Sequence, residues 1–269
     1  DHELITPAIA PHAPNTNSPQ ALQAAAAISK KYGVPISLHL SEMDYEIRHF
    51  QEKYGKTPVA FLADLGVLSE RLIAAHCIHV TPDDIALLKQ NDVAVAHCIG
   101  ANTKSAKGVA PVKAMLEAGI RIGLGTDGPS SGNTLDLFVQ MRMFANFQKT
   151  HLQDRAAFPA RDIVRLATLG GAEVLGLADK IGSLETGKKA DIVLVETDYA
   201  NMFPIFDPYA VLVYSAHAGN VSDVFINGVP IVSGKQLLTQ DLAALKTTLA
   251  SEMKDFIKQA EQNEKKTIL

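Results

Sequence analysis

Arg121-Ile122-Gly123-Leu124-Gly125-Thr126-Asp127-Gly128-Pro129-Ser130-Ser131 is the stretch whose reading decides the fold. An apolar run with glycine at alternate positions ends on an aspartate, then breaks into a Gly-Pro-Ser loop. That is the form of a buried parallel strand whose last residue faces a site. Period-2 alternation puts Gly123, Gly125 and Asp127 on one face and Ile122, Leu124 and Thr126 on the other. Glycine on the carboxylate's own face leaves room beside it for an ion or a ligand. Taken alone, the stretch also reads as a strand that ends on Asp because Asp-Gly starts turns.

Working outward, the same unit recurs upstream. Leu4 to Ala10 reads as a strand within residues 3–14, running into Pro11-His12-Ala13-Pro14. Ser18-Pro19 then opens a helix that Gly33 stops. Val34 to Leu40 is the next strand, ending in His39-Leu40-Ser41-Glu42, with helix-compatible sequence from Asp44 and a further helix from Thr57-Pro58. Arg71 to Ile78 is a third strand carrying His76, and Thr81-Pro82-Asp83-Asp84 caps the following helix. Val93 to Ile99 is a fourth strand carrying His97, followed by a loop and a helix over 110–118. His12, His39, His76, His97 and Asp127 are thus separated by 27, 37, 21 and 30 residues, the size of a strand plus a helix plus loops. Five such units predict a parallel sheet. Polar groups at every C-terminal strand end favour a (β/α)8 barrel over a doubly wound sheet, which gathers ligands at one switch point. Alternation pairs His39 with Ser37, His76 with Ala74 and His97 with Val95 on the inward face, leaving a cavity at the barrel mouth.

Helices are expected over 134–148 and 160–175. Ile181 to Val195 then reads as two short strands around a Gly-Lys turn, and Val221 to Val232 as a hairpin about Asn227-Gly228. The domains read as residues 1–178, a barrel portion; 179–235, a β subdomain; and 236–269, a C-terminal helix with a frayed lysine-rich end. The 269 residues are 47% hydrophobic and 20% charged with a net charge of -4. That balance supports a sizeable core and argues against nucleic acid or an anionic membrane as partner. Cys77 and Cys98 lie in apolar runs and read as reduced, buried thiols of a cytoplasmic protein. No apolar stretch approaches 18 residues.

Nine histidines are present. One in an apolar strand is usually a core residue, but four at equivalent ends together with an aspartate point to a polar active site. His and Asp converging on one mouth suit Zn²⁺ or another divalent transition metal. Glu42, three residues past His39, is placed to reach over the cavity as a general acid/base.

Ala10-Pro11-His12-Ala13-Pro14, Ser37-Leu38-His39-Leu40-Ser41-Glu42, Ala74-Ala75-His76-Cys77-Ile78-His79 and Gly125-Thr126-Asp127-Gly128 together resemble the amidohydrolase superfamily. Within it they resemble the 5′-methylthioadenosine/S-adenosylhomocysteine deaminases. Leu184 to Val193 is similar to the element that joins such barrels to a composite β-sandwich. The resemblance implies one divalent metal ion, expected to be zinc with iron or manganese as alternatives, held by His39 and Asp127. It implies that Glu42 protonates a ring nitrogen, that His76 orients the attacking hydroxide, and that Asp127 shuttles protons. His12, Glu42, Asp127 and Ser131 would contact a purine nucleoside, and the protein would be a homo-oligomer. The implied reaction is hydrolytic deamination at C6. An s-triazine chlorohydrolase or aminohydrolase is the sister reading, and a non-catalytic scaffold of the same fold the third.

Two departures stand out. The family's His-x-His pair occurs nowhere in these residues, and only five barrel strands are legible, so a preceding portion is expected in the full protein. After His97-Cys98, Ile99-Gly100-Ala101 replace the family's usual pattern, keeping Asn102 and Lys104. His97 is read as either structural or functional and His79 as a supporting residue. His2, His49, His151 and His217 are read as surface or core.

Overall fold

Ser18, Thr57 and Thr81 each turn a side-chain oxygen onto a backbone N–H of the first helical turn, and each is followed by proline. These caps start three helices where the sequence predicts them. The computed structural model describes residues 3–267, with side chains through residue 262. His2 therefore lies outside the described residues, and of the lysine-rich end only the helical backbone through Thr267 is described. Two compact units are present, Asp1–Lys188 with Asp198–Ala218, and Lys189–Thr197 with Gly219–Leu269.

In the first unit the order is α1 (Pro19–Tyr32), β1 (Ile36–Leu40), α2 (Asp44–Tyr54), α3 (Pro58–Asp64), β2 (Leu72–His76), α4 (Pro82–Gln90) and β3 (Ala94–His97). It continues with α5 (Ile99–Lys104), α6 (Val112–Glu117), β4 (Ile122–Leu124), α7 (Pro129–Gly132), α8 (Leu137–Leu152), α9 (Ala160–Ala167) and α10 (Leu169–Val174). Strands β1 to β4 form one parallel sheet in sequence order. The expected strand over residues 3–14 reduces to a single parallel bridge, Ile9 to Ile36. Pro7, Pro11 and Pro14 supply no N–H, so this segment cannot donate a continuous ladder.

One face of the sheet meets the helices. Ile36, Leu38, Leu40, Leu72, Ala74, Val95 and Ile122 join Leu22, Phe50, Leu88, Met115 and Phe144 in one core. The other face carries Ser37 and His39 of β1, register-paired through Ala75 and Ala96 to Gly123. Here the observed faces differ from the expected ones: Ala74 and Val95 are core residues, and Ala75 and Ala96 line the other side. Gly123 also serves a different purpose from the one the sequence suggests. A Cβ there would lie 2.8 Å from Cα of Gly171, so the space beside β4 is filled by α10 and not by a ligand. A cavity of about 620 Å³ opens on this face near the strand beginnings, lined by Pro35, Arg71, Arg121 and Ala96 among others; it contains none of the candidate site residues.

Helix α11 (Pro208–Tyr214) completes the first unit. Neither α11 nor α5 is foreseen by periodicity, since both are under two turns long. In the second unit β5 (Ile192–Val195), β6 (Val221–Ile226), β7 (Val229–Ser233) and β8 (Gln236–Leu237) form an antiparallel sheet in that order, followed by α12 (Leu242–Thr267). The Asn227-Gly228 hairpin forms as expected, with φ of 51° and 78°. Of the two strands expected over 181–195 only β5 forms. The first is a polar turn, in which Lys188 meets Ser183 at 2.6 Å and Glu185 at 3.1 Å.

Candidate active site

Four non-glycine residues with left-handed backbone cluster at the strand ends: Ser41 (φ 50°), His76 (φ 73°), Cys77 (φ 46°) and Asp127 (φ 59°). Each such residue costs on the order of 1–3 kcal/mol, strain that collects at functional sites. The dihedral at His76 has a direct consequence. Strict alternation would send this side chain to the helix face with Ala74, but its ring stacks on His39 instead, with centroids 5.3 Å apart and planes 20° apart. Asp127 likewise lies three residues beyond β4, so the turn and not the strand alternation directs its carboxylate.

His39 is fixed by the chain before it. Its backbone N–H donates to the His12 carbonyl at 3.1 Å, and Nδ1 lies 2.6 Å from the same oxygen. A carbonyl only accepts, so Nδ1 carries the proton and Nε2 presents its lone pair. The His12 ring lies 5.0 Å from that of His39, and its Nδ1 is 2.8 Å from Thr16 Oγ1. Glu42 is fixed through Glu46, a buried residue in the first turn of α2. Its carboxylate accepts the Ser41 N–H at 3.2 Å and the Glu42 N–H at 2.9 Å. Burial pushes the Glu46 carboxyl upward against the pull of these donors.

These elements converge on His76 Nε2, which lies 3.6 Å from Glu42 Oε1 and 3.9 Å from Asp127 Oδ2. Both separations exceed direct hydrogen-bond length, and this buried nitrogen has no hydrogen-bond partner among the described residues. At the far side of the ring, Nδ1 sits 2.7 Å from Asn102 Oδ1, which again leaves the lone pair on Nε2. Burial lowers the His76 pKa, with the Glu42 carboxylate opposing, and the ring is neutral at pH 7. The Asp127 carboxylate accepts the Gly128 N–H at Oδ1, 2.6 Å away.

The structure therefore brings together His12, His39, Glu42, His76 and Asp127. It does not bring in Ser131, which is half-buried in α7 and makes no side-chain hydrogen bond to the cluster among the described residues. His97 is excluded too. It continues the β3 alternation into the core, where its ring meets Phe144 edge-on at 5.5 Å. Both of its ring nitrogens lack partners among the described residues. His79 is half-buried, with its N–H donating to the Ser41 carbonyl at 2.9 Å.

Two participants escape a sequence reading, Glu46 and Lys107, whose Nζ contacts Glu42 Oε1; Asn102 is legible there only as a retained loop residue and not as the partner of His76. Asn102 and Lys107 act 26 and 65 residues away along the chain, beyond any local spacing signal.

Among the described residues no three His, Cys, Asp or Glu side chains form a group that could hold a metal ion. His39 and Asp127 nevertheless fit as two of its donors. A backbone carbonyl orients the histidine with its lone pair free, as metal-ligating histidines require, and the carboxylate is three-quarters or more buried beside an unpartnered imidazole nitrogen.

A parallel α/β sheet that gathers imidazoles and carboxylates at its C-terminal strand ends defines a class, that of α/β proteins with a polar, metal-compatible site at the sheet mouth. The chain belongs to the amidohydrolase family, whose pattern matches residues 1–231. It is 41% identical over 249 residues to a 5-methylthioadenosine/S-adenosylhomocysteine deaminase of Moorella thermoacetica, covering 93% of this chain and 58% of that protein. Among solved structures, it resembles an adenosine deaminase from Xanthomonas campestris with bound zinc. The TM-score is 0.92 and the identity 36%, covering 96% of this chain and 59% of that one. It also resembles a mutant atrazine chlorohydrolase from Arthrobacter aurescens TC1 complexed with zinc and atraton. Here the TM-score is 0.86 and the identity 28%, over 93% and 56% of the two chains. The chain thus spans little more than half the length of the proteins it matches. Among the described residues no helix is long and apolar enough to cross a membrane.

Proposed function

We propose that the full-length protein is a metal-dependent aminohydrolase that releases ammonia from the adenine ring of 5′-methylthioadenosine, S-adenosylhomocysteine or a related adenosine. The observation that carries this reading is the convergence of Glu42 and Asp127 on the buried, unpartnered Nε2 of a neutral His76. Two carboxylates flanking a lone pair meet the needs of an addition–elimination at an amidine carbon, which must move protons to and from three atoms.

Residues 1–178 are read as the C-terminal part of a (β/α)8 barrel and 179–235 as half of a β-sandwich, in a homo-oligomeric cytoplasmic enzyme. His39 and Asp127 would hold one divalent ion per site, with zinc preferred, and the remaining donors would come from the part of the relatives' length that these residues do not span. When bound, such an ion supplies Lewis acidity and lowers the pKa of water toward neutrality. The chain's own residues do the rest. His76 Nε2 accepts a hydrogen bond from the attacking water and so aims it. Asp127 takes that water's proton and returns it to the departing amino group. Glu42 protonates the ring nitrogen, which an adenine needs because it is a poor electrophile. His12, whose ring lies beside that of His39, would contact the nucleoside.

The test is loss of the purine absorbance by the full-length, metal-loaded protein on methylthioadenosine, S-adenosylhomocysteine, adenosine and a chloro-triazine. Purine turnover with inert triazine is expected; the reverse pattern would select the triazine reading, and no turnover at all the scaffold. Glu42→Gln and Asp127→Asn are expected to lower kcat by about 10²–10⁴ or more, the range of general acid–base catalysis, with unchanged circular dichroism. Near-native rates in either variant would overturn the assigned roles.

A further inference from the structure

Lys107 belongs to no motif, yet its ammonium reaches the carboxylate that must give a proton to the ring. Lys107 and Glu42 are both largely withdrawn from solvent, their side chains 14% and 19% exposed. The contact is to Oε1, the oxygen that also faces His76 Nε2 at 3.6 Å. It spans the sheet, from the loop after α5 to the loop after β1. Asn102 sets its position: the Asn102 carbonyl accepts the Lys107 N–H at 2.9 Å, while its side-chain oxygen holds His76 at 2.7 Å. One residue thus fixes the histidine and the lysine, and the lysine and histidine bracket the same carboxylate oxygen.

We propose that Lys107 is a positioning residue for Glu42: its ammonium holds Oε1, so that Oε2 is the oxygen that carries the proton destined for the ring. This inference rests on the deaminase reading of the site and names a residue that reading does not use. An ammonium has three N–H donors and no lone pair, so it can accept nothing from Oε1, and its positive charge disfavours a proton on that oxygen. A proton on the carboxyl group therefore resides on Oε2. During transfer the Oε2–H bond breaks, an N–H bond forms on the ring, and the electron pair stays on the carboxylate, whose charge faces the ammonium. Lys107 keeps its own protons throughout.

The experiment compares Lys107→Met, Lys107→Gln and Lys107→Arg in the full-length, metal-loaded protein. Steady-state kinetics on the preferred purine are read beside thermal melting and a crystal structure of each variant. Lys107→Met is expected to lower kcat by about 10–100-fold, part of what a general acid contributes, with KM within about threefold. In its structure the Glu42 carboxylate is rotated from its wild-type position. Lys107→Arg, which keeps charge and donor, is expected to recover most of kcat. Should Lys107→Met not fold, Lys107→Gln, which keeps a donor but no charge, takes its place with the same expected loss. The proposal is overturned if kcat is native within about twofold, or if KM rises while kcat holds, which would mark uniform substrate binding. It is also overturned if Lys107→Arg is as impaired as Lys107→Met. A wild-type protein that deaminates no purine removes the deaminase reading. An unmoved Glu42 in the Lys107→Met crystal removes the holding contact whatever the activity.

Discussion

Burial pushes the His97 pKa down from the ordinary 6.5 to about 3, with the nearby His76 adding to the effect. Between those values the unfolded chain binds a proton at this residue and the folded chain does not. Stability conferred by neutral His97 is therefore fully present above pH 6.5 and drains away as the pH falls toward 3. The slope is at most about 1.4 kcal/mol per pH unit for one histidine. His97→Asn should flatten the urea-unfolding free energy measured between pH 6.5 and 4 by up to that amount, whatever it does to stability at neutral pH. An unchanged slope would mean that His97 is protonated or hydrated in the folded protein. His76 and His97 look alike in sequence, each closing a short Ala- or Val-rich strand. What separates them is φ at His76; histidine adopts a left-handed backbone more often than most residues but still in a small minority of cases, so the residue type alone does not announce it. His39, Glu42 and Asp127 were legible because each sits at or just past the end of an apolar strand-like run. Lys107 was not, because a contact 65 residues away leaves no trace in local spacing, and Glu46 was not, because a glutamate in the first turn of a helix reads as an ordinary partner of the helix dipole.

At the scale of elements, the packing of β4 against α10 decides where Asp127 sits. A Cβ on Gly170 would lie 2.6 Å from the Ile122 carbonyl and 3.2 Å from the Arg165 carbonyl, both backbone atoms that cannot swing aside. On Gly171, by contrast, nothing lies within 4 Å. Gly170→Ala should destabilise the protein by about 1–3 kcal/mol, the usual cost of overpacking, and lower turnover because β4 leads directly to Asp127. Gly171→Ala should be neutral or stabilising by about 0.5–1 kcal/mol, since alanine suits a helix interior. Urea midpoints for the pair decide the matter, and equal midpoints would sink the close-packing account. The glycine pattern that announced a strand was thus correctly read for its element and misread for its purpose. Alternate glycines signal that something approaches closely, and the sequence does not say whether that is a ligand or a helix. The proline-rich segment before the short 3₁₀ turn Pro14–Thr16 shows the complementary failure. Its apolar residues suit a strand, while its missing N–H groups allow only one bridge.

For the whole molecule, strand–helix alternation was readable because each unit repeats the same grammar of cap, apolar run and polar strand end. In the proposed metal site His39 and Asp127 would supply two ligands, whereas a catalytic zinc takes three protein ligands and keeps a position open. That sets the expected behaviour of the full-length protein toward chelation. Exhaustive dialysis against a chelator should abolish the proposed deamination, and added Zn²⁺, Mn²⁺ or Fe²⁺ should restore it in an order that identifies the metal. Because such an ion would bind the folded state and not the unfolded chain, its removal should also lower the melting temperature. At a free metal concentration of 100 times Kd the stabilisation lost is about 2.7 kcal/mol. Asp127→Asn should weaken metal retention, measured by elemental analysis after gel filtration, whereas Glu42→Gln should retain the metal and lose only turnover. Equal metal loss in both variants would place Glu42 among the ligands, and full activity in a metal-free preparation would remove the metal from the proposed chemistry altogether.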